Sequence, residues 1–122
     1  MINLKQLKNS FTHALRGVKT VFKQEQSFRI QAFAGIVAVG MSIYFKIGQF
    51  EFLLILLMIG FVMSLELINS IIERLVDSHK PRIHPVVKEI KDIMAATVLF
   101  ASLLAAVIGV VIFYPYISQL LV

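Results

Sequence analysis

Cysteine and tryptophan are absent from the chain, proline occurs three times, and only seven residues are acidic. Without cysteine there is no disulfide and no thiolate metal centre. Without tryptophan, phenylalanine and tyrosine must provide any interfacial aromatic anchors. So few prolines leave long stretches open to uninterrupted helix. No segment matches G-x-x-x-x-G-K-[ST], and no H-R-D or D-F-G set is present, which excludes the usual nucleotide-handling motifs. His13, His79 and His84 are not at metal-ligand spacing.

What is present is apolar. Hydrophobic residues make up 58% of the 122 positions and charged residues 16%, against about 45–50% and about 25% in soluble domains. With a mean hydropathy of +0.84, the excess cannot be hidden inside so small a globule. The expected class is an all-α integral membrane protein of one domain, residues 1–122. The net charge of +5 is placed for an anionic membrane surface and an anionic ligand, not for nucleic acid. The Met1–Gln26 segment has no continuous apolar core and no A-x-A-like site, so a cleavable signal is not expected there.

Leu4, Leu7, Phe11, Leu15, Val18 and Phe22 recur at helical spacing, while Lys5, Lys8, Arg16, Lys19 and Lys23 lie outside their arc. The pattern predicts an amphipathic helix over 4–24 lying on a membrane surface. Three spans are predicted after it, at about 28–46, 50–77 and 87–119, the last beginning at Val86 or Val87 and ended or kinked at Pro115. Gly35, Gly40 and Gly60 are read as places of close helix packing. Eleven of the twelve basic residues lie before or within the first span's start or around the second loop, with Lys46 alone on the other side. The positive-inside rule puts the N-terminus and the 78–85 loop in the cytoplasm and the C-terminus outside.

Glu66, Asn69, Glu73 and Asp77 occupy i, i+3, i+7 and i+11 of the second span, an arc of about 80°. Glu66 is about 16 Å from Asp77 along the axis, well below the interface. An ionised acid there costs about 2.5–3.5 kcal/mol on insertion scales and persists where it faces a bundle interior or a wet cavity. Hydrogen-bonding glue between helices would need only an Asn or a Ser. Several acids repel one another and call for a cation or protons. Converging acids near a basic loop suit Mg²⁺ with a phosphate ligand, and Glu25, just before the first span, could join Glu73 on that ion. Lys80, Arg82, Lys88 and Lys91 could face a polyphosphate, though a cytoplasmic loop is basic for topological reasons alone.

The run Glu66-Leu67-Ile68-Asn69-Ser70-Ile71-Ile72-Glu73-Arg74-Leu75-Val76-Asp77 closely resembles the E-x-x-N-[ST]-x-I-E-x-x-x-D signature of the small prokaryotic diacylglycerol kinase family, which includes undecaprenol kinases. Glu25-Gln26-Ser27-Phe28-Arg29 is similar to its N-E-x-x-F-R element, and Lys88-Glu89-Ile90-Lys91-Asp92 to its A-K-D element. Ser10-Phe11-Thr12-His13-Ala14-Leu15-Arg16-Gly17 resembles the surface-helix element of the Gram-positive branch. The resemblance runs from about Asn9 to Ala105.

It implies a surface helix plus three spans, a homotrimer with sites shared between subunits in a bacterial plasma membrane, and ATP-dependent phosphorylation of a lipid hydroxyl. Glu66 matches the catalytic base, Glu25 and Glu73 the carboxylates for the Mg²⁺ of Mg-ATP, and Asn69 and Asp77 supporting positions. His13, Arg82, His84, Lys91 and Asp92 match nucleotide-contacting positions, beside Glu25 and Glu73. Arg29, Glu66 and Ala95 match the lipid side. Gln31 stands where some members have Glu, Ala95 where some have Ser, and His13 where the enterobacterial type has Tyr. These departures bear on the acceptor lipid, and the His13 context points toward undecaprenol. The rival readings are a small proton-coupled transporter, from the intramembrane Glu, and a pore-forming or structural helical oligomer.

Overall fold

Asn3 opens the first helix, its Oδ1 accepting from the backbone N–H groups of Lys5 at 3.0 Å and Gln6 at 3.2 Å. In this computed structural model, which describes residues 1–78 and 85–122, four α-helices follow in order: α1 (Leu4–Gln24), α2 (Gln26–Phe45), α3 (Gln49–Ser78) and α4 (Pro85–Leu120). The last three are long and apolar enough to cross a membrane. At 1.5 Å per residue, α2 reaches about 30 Å, one hydrocarbon thickness, and α3 and α4 are longer. The charged residues of α3, except Glu51 and Glu66, fall in its last two turns.

The helix bounds agree with the sequence reading to within two residues, and each difference has a cause. Glu25 is extended, with φ −113° and ψ 113°, so it ends α1 and lets α2 begin at Gln26. Pro85 takes the first position of α4, where its missing N–H has no partner to lose. Pro115 does not end α4, which continues to Leu120. The carbonyl a turn earlier loses its bond, a loss tolerated in apolar helices.

Helix α3 is the centre of the bundle and packs against both α2 and α4, while α1 touches α2 and α3. The α2–α3 turn is set by Lys46, a non-glycine residue with φ 52° and ψ 52°. This conformation lets the Ile47 N–H reach the Ser42 carbonyl at 3.3 Å, closing the end of α2. Beside this turn lies the core, Ile55, Ile112 and Phe113, with Met41, Phe45 and Ile108 packed on it. Gly35 is buried, and a Cβ there would stand 3.2 Å from Ile59 Cγ2, so α2 and α3 approach closely as expected. Gly40 and Gly60 meet nothing within 4 Å, so the close-packing reading of those two does not hold within the chain. Elsewhere the surface is apolar: Ile36, Phe100 and Val110 are among the many large side chains left exposed.

Candidate active site

The site is built at the elbow where α1 gives way to α2. The Glu25 N–H bonds the Val21 carbonyl at 2.8 Å, and the Glu25 side chain caps neither helix. Its carboxylate instead turns to α3, where Oε1 accepts from the Ser70 hydroxyl at 3.3 Å and lies 3.6 Å from the Arg74 guanidinium. Ser70 is buried; its hydroxyl also accepts from Arg74, whose other terminal nitrogen donates to Gln24 Oε1 at 2.6 Å.

One turn deeper on α3 is Glu66, 4% exposed and the sole buried acidic side chain among the described residues. Its carboxyl lies within coulombic reach of both Glu25 and Glu73. Asn69 donates from Nδ2 to Glu73 Oε1 at 3.3 Å, fixing one carboxylate oxygen. From α4, Lys91 pairs with Asp77 at 2.7 Å. The cluster therefore joins Glu25, Glu66 and Glu73, with Asn69 as a neighbour of Glu73 and the Lys91–Asp77 pair at its rim.

Other sequence-derived candidates fall elsewhere. Arg29 donates to the carbonyls of Phe22 at 2.7 Å and Lys23 at 2.9 Å, so it caps the C-terminus of α1. His13 is exposed on α1, 3.5 Å from Arg16 through Nδ1, and borders a groove of about 580 Å³ that Thr20, Ser70 and Arg74 also line. Asp92 pairs with Lys88 one turn away at 3.1 Å, and Ala95 is exposed on α4. Among the described residues no hydrogen bond or ion pair joins His13, Asp92 or Ala95 to the carboxylates. Arg82 and His84 lie outside the described residues. Gln31 donates to Ser102 at 2.9 Å, tying α2 to α4. They border a cavity of about 210 Å³ that Val62 and Met63, one turn before Glu66, also line.

Sequence reasoning missed Arg74 and Gln24. Arg74 was counted for topology alone, yet it stands four residues after Ser70, on the same helical face as the carboxylates. That spacing was the available signal. Gln24 carried none, because its partner lies 50 positions away.

The buried Glu66 carboxylate and its acidic neighbours thus lie on a helix long and apolar enough to cross a membrane. The sequence model of the prokaryotic diacylglycerol kinase family matches residues 12–113. The undecaprenol kinase of Bacillus subtilis is 34% identical over 106 residues, covering 87% of this chain and 86% of its own. The diacylglycerol kinase of Haemophilus influenzae is 30% identical over 112 residues, 91% of this chain and 95% of that one. That of Escherichia coli K12 is 24% identical over 104 residues, 85% of each. The chain belongs to the prokaryotic diacylglycerol kinase family and is a lipid kinase. Membership decides for an enzyme over a transporter or a structural oligomer.

Proposed function

We propose that this kinase transfers the terminal phosphoryl group of ATP to the hydroxyl of undecaprenol or of diacylglycerol, with Glu66 as the general base. The observation that carries this reading is the burial of Glu66 on the apolar part of α3, within reach of Glu25 and Glu73. A base at that depth can meet a hydroxyl whose tail stays in the bilayer, and the cavity beside Val62 and Met63 is apolar enough to border such a tail.

Glu25 and Glu73 would hold Mg²⁺, and the donor set fits. Both are hard oxygen ligands, each with one oxygen engaged by Ser70 or Asn69 and the other without a hydrogen bond among the described residues. Among the described residues no group of three or more His, Cys, Asp or Glu forms a cage. That matches a cation completed by nucleotide phosphates rather than one held by protein alone. When bound, Mg²⁺ neutralises developing charge on the phosphates. Glu66 takes the hydroxyl proton, and the Asn69 amide orients the Glu73 carboxylate. Asp77 holds Lys91 at the rim, where its ammonium would face the nucleotide; His13 and Asp92, and Arg82 and His84 outside the described residues, are the further nucleotide-contacting candidates. Arg29 and Ala95 stand on the lipid side. Phosphoryl transfer depends mainly on such positioning.

In this reading α1 lies along the cytoplasmic surface, the C-terminus is outside, and three chains assemble. The trimer follows from the family resemblance, and the exposed apolar surface suits lipid and neighbouring chains alike. Purified protein incubated with Mg-[γ-³²P]ATP and either undecaprenol or diacylglycerol is expected to label at least one lipid. No labelled lipid with either would overturn the reading and its acceptor class.

A further inference from the structure

We propose that Arg74 is a positioning residue of the kinase site: with Gln24 it fastens the α1–α2 elbow to α3 and so fixes the Glu25 carboxylate against Ser70 of α3. The inference rests on the metal-binding role proposed above for Glu25 and Glu73. Glu25 is an unusual place for a ligand, because it is the one extended residue between two helices. Its carboxylate goes wherever the elbow goes. The contact between α1 and α3 is slight compared with that between α3 and α4, and although Val21 and Phe28 are buried on either side of the elbow, apolar burial does not direct the Glu25 carboxylate.

The polar ties do what packing does not. Arg29 of α2 closes the carbonyl end of α1 through Phe22 and Lys23, which sets the angle between those two helices. Arg74 then ties that unit to α3. Its fork spans Gln24 Oε1 at 2.6 Å on one side and the Ser70 carbonyl and hydroxyl on the other. Ser70 in turn donates to Glu25.

The distances separate fastening from simple charge neutralisation. The guanidinium is 3.6 Å from Glu25 Oε1, beyond the roughly 2.7–2.9 Å of a charge-assisted hydrogen bond. Its shorter contacts are with neutral groups, the Ser70 hydroxyl and the Gln24 amide. Both ends of the ion pair are also part-exposed, 43% for Arg74 and 27% for Glu25, and solvent weakens such pairs. A planar fork can hold Gln24 and Ser70 together, whereas a lysine ammonium on a flexible stem cannot reproduce that geometry.

Charge and geometry make opposite demands, so a small set of variants decides. The probe is Mn²⁺ with a non-hydrolysable ATP analogue, its binding to the full chain in detergent followed by electron paramagnetic resonance. The KM for Mg-ATP and kcat are measured alongside. Gln24→Ala removes the tie without changing any charge, and Arg74→Lys keeps the charge without the fork. Both are expected to weaken Mn²⁺-analogue binding about tenfold, the lower end of what loss of an outer-shell partner costs, and to raise KM more than they lower kcat. Wild-type binding in both variants would overturn the proposal, because a charge-only role is rescued by lysine and indifferent to Gln24. Glu25→Ala and Glu73→Ala serve as the control. If these bind the probe like wild type, the metal reading itself fails; if they lose it while Gln24→Ala and Arg74→Lys do not, the Arg74 inference alone fails.

Discussion

At the Lys46 turn, Phe45 lies 6.3 Å from Phe113 and 5.9 Å from Tyr116, centroid to centroid, over a core of Ile55, Ile112 and Phe113. The polar groups there are paired to close the structure: the Tyr116 hydroxyl donates to Glu51 at 2.7 Å, and Glu51 accepts from the Gly48 N–H at 3.0 Å, capping its own helix. At the elbow, the end of α1 and the start of α4 are tied to α3 through Gln24–Arg74, Glu25–Ser70 and Lys91–Asp77, and Glu66, the one buried acid among the described residues, sits among other acids. The first end uses apolar contact and satisfied hydrogen bonds to hold the bundle. The second gathers like charges, which repel unless a cation joins them. The apolar core and the carboxylate cluster thus lie at opposite ends of α3.

Changes at the two ends should therefore separate activity from stability. Glu73→Gln, at the elbow end, is expected to lower Mg-ATP turnover at least roughly a hundredfold, the upper end of what an outer-shell loss costs, with the detergent-solubilised melting point unchanged. Ile112→Ala at the Lys46 end is expected to lower unfolding free energy by about 2–5 kcal/mol, as large core deletions do, with kcat per folded molecule preserved. An Ile112→Ala protein of normal stability would break the comparison. Lys46→Gly relieves a left-handed conformation that costs an L-residue about 1–2 kcal/mol. Part of that gain is lost to the entropy of a freer unfolded chain. The net expectation is a stabilisation of about 0.5–1 kcal/mol, read as a raised melting point with no change in KM for Mg-ATP.

Much of this division was legible in the residues. The spacing of Glu66, Asn69, Glu73 and Asp77 alone put four polar side chains on one face of an apolar helix, and the basic residues marked one end of the bundle. The helices themselves followed from long apolar runs between few breakers. What was not legible depends on contacts between distant positions. The Tyr116–Glu51 bond joins residues 65 apart, and the Arg74–Gln24 bond residues 50 apart; neither has a periodic signature. The break between α1 and the first span was legible, with α1 ending at 24, but not that a single extended residue makes it, because no proline or glycine marks Glu25. Pro115 lies inside α4, as a span read to about 119 requires: in an apolar helix the freed carbonyl can be accommodated, so the residue does not act as a stop. Gly40 and Gly60 show the reverse limit, since a small residue permits close approach without requiring it.

The central claim is that Glu66 acts as the base at lipid depth while contributing little to the fold. Its most direct test is Glu66→Gln, with lipid phosphorylation by Mg-[γ-³²P]ATP, Mn²⁺-analogue binding and melting point measured on the same preparation. The expected result is a loss of turnover of about 10²–10⁴, the usual contribution of a positioned base, with nucleotide binding and melting point retained. Turnover near the wild-type rate in a folded Glu66→Gln protein would contradict the account.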